Sequence, residues 1–140
     1  MKVTDEQQIL IFIEKLKPLP AIIQQHASEF KEEVEKRGEK WLPQARFALL
    51  VAKLDEIGDE AKAIDFENPK LKKAFETIGN SFNAIAGALH NGLVTTLSQL
   101  IQQIKFRLQE LLKLVTKELT GETMLKGVST IESIGKALGI

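Results

Sequence analysis

Apolar residues spaced alternately four and three apart run through the second half of this chain as two long seams, and the seams do not share a phase. Leu71, Phe75, Ile78, Phe82, Ile85 and Leu89 form the first; Val94, Leu97, Ile101, Ile104, Leu108, Leu111 and Val115 form the second. Such spacing puts each set on one side of an α-helix, where it packs against other helices. Carried past Leu89, the first seam reaches Gly92, Thr96, Gln99 and Gln103, which are not core residues. Either a turn or a stutter within one helix of about 50 residues, roughly 75 Å long, must reset the phase. His90-Asn91-Gly92 favours the turn, with Gly92 as the C-terminal cap. A helical hairpin is therefore expected here.

Prolines, glycines and caps divide the remainder. Thr4 and Gln7 have the spacing of a capping box ahead of Ile9, Phe12, Ile13 and Leu16, so a first helix is expected from about Asp5 to Lys17. Pro18 and Pro20 stop it, and Pro20 suits the first turn of a second helix with the stripe Ile23, Ala27, Phe30 and Val34, ending at Gly38. Pro43 opens a third, apolar on nearly every side from Phe47 to Leu54 and hence expected to be central, which ends near Gly58. Asp59 to Glu67 reads as a loop or a short helical turn, and Asn68-Pro69 then caps the helix carrying the first seam. The helix carrying the second seam is expected from near Leu93 to Gly121. Leu125, Val128, Ile131, Ile134 and Leu138 form a thin terminal stripe, interrupted by Gly127 and Gly135. No strand pattern stands out. The expected fold is all-α, an antiparallel bundle of four to five helices plus a short C-terminal amphipathic helix. Its core is expected to include Leu49, Leu50, Phe75, Phe82, Leu97, Ile101, Ile104, Leu108 and Leu111. Residues 1–140 read as one domain, with 121–140 as a segment that could be mobile.

Charge and chemistry narrow the function classes. The chain has 19 basic and 19 acidic residues, so no net field draws it to nucleic acid or to an anionic membrane. The halves differ, −4 for residues 1–68 and +4 for 69–140, which suits an intramolecular match or head-to-tail association. Cysteine is absent, which removes disulfides, thiolate metal sites and cysteine nucleophiles together. The acidic start does not read as a signal peptide, and a cytoplasmic location is expected. His26 and His90 have no carboxylate at helical di-metal spacing, so structural roles are expected for both, and no metal or cofactor is expected. Glu32-Glu33 and Asp59-Glu60 read as solvated faces, and Lys70, Lys72 and Lys73 as the outer surface of a first helical turn. Trp41 is expected to staple the third helix onto the core.

The 28 residues from Thr77 to Ile104 contain no Asp, Glu, Lys or Arg. Asn80, Ser81, Asn83, Gln99, Gln102 and Gln103 among them are too polar for hydrocarbon, which argues against a simple spanning helix. Three readings stay open: the buried centre of the bundle, an interface with another chain, or a reversible membrane or apolar-ligand element. The expected function is non-enzymatic association between helices, with another copy or a partner helix, in a structural or adaptor role. Its expected surface is Leu93, Leu100, Phe106, Arg107, Leu112 and Leu114, an apolar flank beside the second seam. The alternative is an amphipathic protein that binds an apolar ligand or adsorbs to membrane.

Overall fold

The computed structural model describes residues 3–26, 47–94 and 96–139. Among these, six helices succeed one another: α1 (Asp5–Lys15), α2 (Leu19–Gln25), α3 (Ala48–Ala63), α4 (Pro69–His90), α5 (Leu97–Glu118) and α6 (Gly121–Ala137). No strand occurs among the described residues, and the helices pack on one another as an all-α bundle. The expected continuation of the second helix through Ala27, Phe30 and Val34 to Gly38, the role of Trp41 and the opening at Pro43 lie outside the described residues.

Local chemistry accounts for the helix ends. The Thr4 side chain accepts from the Gln7 amide while Gln7 reaches back to Thr4, a complete capping box on α1. The same device, Thr96 with Gln99, opens α5 four residues later than expected from Leu93. Asn68 caps α4 through the Lys70 amide, with Pro69 at the first helical position, where a missing N–H costs nothing. At the other end of α4 the chain turns at Gly92, φ 75°, with Leu93 N–H donating to Ala88 O at 2.8 Å and Gly92 N–H to Leu89 O at 3.3 Å. This is a Schellman cap, and it separates the two seams into two helices.

The α3–α4 hairpin is the most tightly packed pair. Gly58 faces Gly79 across it, and a Cβ added at Gly79 would lie 2.5 Å from the Gly58 carbonyl oxygen. Only two glycines permit that approach. Gly58 is thus a contact inside α3 and not its end: the helix continues through Asp59 to Ala63, within the segment expected to be a loop or a short helical turn. Leu50, Leu54, Ile57 and Ala61 turn toward the core, whereas Leu49, expected there, is 60% exposed. A face this strongly committed to α4 leaves the opposite side of α3 in solvent, so the helix is not central.

Aromatic rings join α1 to this hairpin, with Phe12 edge-on to Phe75 at 5.4 Å and Phe66 at 4.9 Å from Phe75. The Asp5 carboxylate accepts from the Glu67 and Asn68 amides at 2.9 and 3.0 Å, tying the first turn of α1 to the start of α4. α5 and α6 form a second antiparallel hairpin through an extended Leu119-Thr120 connection and Gly121 at φ 58°; α5 therefore stops at Glu118, short of Gly121. α6 also lies parallel to α1, with Thr123 Oγ1 donating to Glu6 Oε2 at 2.8 Å and Gly127 beside Leu10 and Ile13. Ile131, Ile134 and Leu138 of α6 are buried in the common core.

Candidate interaction site

The histidines have local roles: His26 Nδ1 lies 2.9 Å from Ile22 O with its ring 6.0 Å from that of Phe47, and His90 is exposed in the last turn of α4. No group of three His, Asp or Glu side chains among the described residues is placed to hold a metal ion. Asn83 carries the principal polar contact of the charge-free segment, its amide donating to Asp55 O, Asp55 Oδ1 and Asp59 Oδ1 at 3.0–3.3 Å across the α3–α4 hairpin. Phe82, Ile85, Leu89, Val94, Leu100 and Ile104 of that segment are buried, and most of its amides and hydroxyls face outward.

The six residues of the expected association flank are not gathered into one patch. Leu93 protrudes from the α4–α5 turn at 76% exposure, and Phe106 is 56% exposed on the far side of α5 from the core residue Ile104. The Arg107 guanidinium lies 4.9 Å from the Phe106 ring centre and pairs with Glu110. Leu112 and Leu114 are half-buried on opposite sides of the core seam. Leu100 contradicts the expectation outright, because it is fully buried while Ile101 is only half-buried. The reason is helical pitch: one turn before Ile104 lies about 3.6 residues back, nearer Leu100 than Ile101, and a strict heptad count overshoots it. Leu97 is half-buried for its position at the start of the helix.

An apolar depression lies elsewhere, between α5 and α6. Lys105, Leu108, Gln109 and Leu112 line it from α5; Ile131, Glu132, Gly135 and Lys136 line it from α6, around a volume of about 260 Å³. Leu112 alone of the six expected residues belongs to it. Its floor is aliphatic, and its rim carries two lysines and one glutamate, none in an ion pair among the described residues. A Cβ at Gly135 would meet nothing within 4 Å, so the groove opens above that glycine.

α6 explains why this face escaped the sequence. The helix carries two heptad seams one residue apart. Gly127, Ile131, Ile134 and Leu138 are buried and Met124 and Val128 pack half-buried against the core, whereas Glu132 and Gly135 line the groove. The expected stripe mixed the two, and Leu125 is in fact 64% exposed. Reading the two registers separately would have revealed both faces.

A second depression, about 190 Å³, has Val3, Ile11, Phe12 and Ile64 with Lys15 and Glu60, which are themselves paired at 3.4 Å. No helix among the described residues is long and apolar enough to cross a membrane. Comparison with protein-family models, with curated proteins and with solved structures returns no match.

Proposed function

We propose that this chain is a non-enzymatic helical-bundle protein that acts by association between helices, through the outer face of the α5–α6 hairpin. The open groove over Leu108, Leu112, Ile131 and Gly135 carries this reading. A helix laid along two others inserts side chains at three- and four-residue intervals, and such a groove is shaped to receive them. Self-assembly, or an adaptor role toward a partner helix, follows in a cytoplasmic setting, with no nucleic acid and no cofactor involved. A second reading rests on the size of the groove. At about 260 Å³ it is close to the lower end of small-molecule sites, so it also suits an apolar ligand, and an amphipathic α6 suits adsorption to lipid.

Size-exclusion chromatography with light scattering separates the two. Association is expected to give a mass of two or more chains at micromolar concentration, unchanged by lipid vesicles. A monomer that co-elutes with vesicles overturns association and establishes the second reading.

A further inference from the structure

We propose that Asn91 is a covalent modification site of this chain: its side-chain amide is lost by cyclisation onto the Gly92 nitrogen, at a rate set by the opening of the cap that ends α4. Asparagine converts to a carboxylate when the amide nitrogen of the next residue reaches its side-chain carbonyl carbon. That needs a small following residue, an N–H to deprotonate and a backbone released from regular helix. The chain has four asparagines, Asn68, Asn80, Asn83 and Asn91. Pro69 follows Asn68 and brings no N–H. Asn80 and Asn83 lie inside α4, where the helix holds the next amide in its own ladder, and the Asn83 amide is further tied to Asp55 and Asp59. Asn91 alone combines exposure, a place beyond the last helical residue and a following glycine.

The Gly92 nitrogen gives its proton to hydroxide and bonds to Asn91 Cγ; the Cγ–Nδ2 bond breaks, and ammonia leaves, taking a proton back from water. Water then opens the cyclic imide. Cleavage at Cγ leaves aspartate, and cleavage at the main-chain carbonyl carbon leaves isoaspartate, whose main chain is longer by a methylene. Nothing is oxidised or reduced, and either product carries a new carboxylate. In the folded turn Asn91 sits at ψ 6°, which turns the Gly92 nitrogen away from Cβ, and Gly92 N–H donates to Leu89 O at 3.3 Å. Ring closure therefore waits for this end of α4 to unwind, and helix ends open at far lower cost than the whole fold. The product weakens the cap it forms from. Its carboxylate faces the unpaired carbonyls at the C-terminus of α4 and is the first charge within residues 77–104. In isoaspartate the added methylene also separates the residues that the Leu93-to-Ala88 bond of 2.8 Å brings together.

Peptide mapping by mass spectrometry tests this on the chain held in mildly alkaline buffer, folded and in urea. In the folded chain conversion is expected at Asn91 alone, several-fold slower than at the same residue in urea, with aspartate and isoaspartate both formed. Asn91→Gln, whose longer side chain cannot close the same ring, is expected to give no acidic form at that position. The converted chain, separated by its added negative charge on ion exchange, is expected to melt at a lower temperature than the parent. An amide still intact at Asn91 after many times the period that converts the unfolded chain overturns the site, as does earlier conversion at Asn68, Asn80 or Asn83 of the folded chain. Equal rates in the folded chain and in urea overturn the control by the cap, and an unchanged melting temperature overturns its weakening by the product.

Discussion

Replacing Gly79 by alanine adds one methyl group where the two helices of the α3–α4 hairpin touch. The new Cβ would lie 2.5 Å from the Gly58 carbonyl oxygen, 2.6 Å from Lys62 Cγ and 3.3 Å from Ala61 Cβ. Lys62 can swing aside, but the carbonyl belongs to a helix held by Leu50, Leu54 and Ile57, so the hairpin must spread. Overpacking of this kind costs about 1–3 kcal/mol, with the backbone contact placing it toward the upper end. The gain in helix propensity returns about 1 kcal/mol. A net loss of about 1–2 kcal/mol is expected, a melting temperature lower by roughly 4–8 °C for a chain of this size. Gly87, two turns along the same helix, has nothing within 4 Å of an added Cβ. There the same substitution is expected to stabilise by about 0.5–1 kcal/mol. Thermal melts followed by circular dichroism at 222 nm compare the two variants with the parent chain. Stabilisation by Gly79→Ala equal to that by Gly87→Ala would refute the close approach of α3 and α4.

The Asp5 carboxylate is expected to contribute through its two amide hydrogen bonds to Glu67 and Asn68. Asp5→Ala should lower stability in urea by about 1–2 kcal/mol and Asp5→Asn by less, since the amide keeps one acceptor; equal losses would show that the carboxylate does not cap the start of α4. On α5, Leu100→Glu puts a charge in a fully buried position and is expected to abolish cooperative unfolding, whereas Phe106→Glu should change stability by no more than about 0.5 kcal/mol. The opposite ranking would contradict the buried position of Leu100 and the exposed position of Phe106.

What the residues disclose on their own is what is decided within one turn of helix. Thr4 with Gln7, Asn68 with Pro69, and Gly92 each settle a helix end through neighbours three or fewer positions away, and each is legible before any fold is known. Gly58 is not legible in that way. The same glycine that ends a solitary helix continues α3 once Gly79 stands opposite, and only tertiary proximity distinguishes the two cases. Leu49 is as apolar as Leu50, so composition could not rank them; the direction of α4 does. The groove was obscured for a related reason. Both registers of α6 contain aliphatic side chains, and which register is inner depends on where α1 and α5 lie.

The parallel contact of α1 with α6 joins segments that lie far apart in the chain, Glu6 and Thr123 being separated by 117 positions. Asn83 and Asp55, across the α3–α4 hairpin, are separated by 28. Loop-closure entropy grows only logarithmically, by about 0.6 kcal/mol for each doubling, so the longer closure costs roughly 1.2 kcal/mol more. That small difference nevertheless sets an order of events. Each hairpin can form from contacts local to itself, and the closing of the first helix onto the last comes after both. The contact of α1 with α6 beside Gly127 is therefore expected to be the last of these to form as the chain folds.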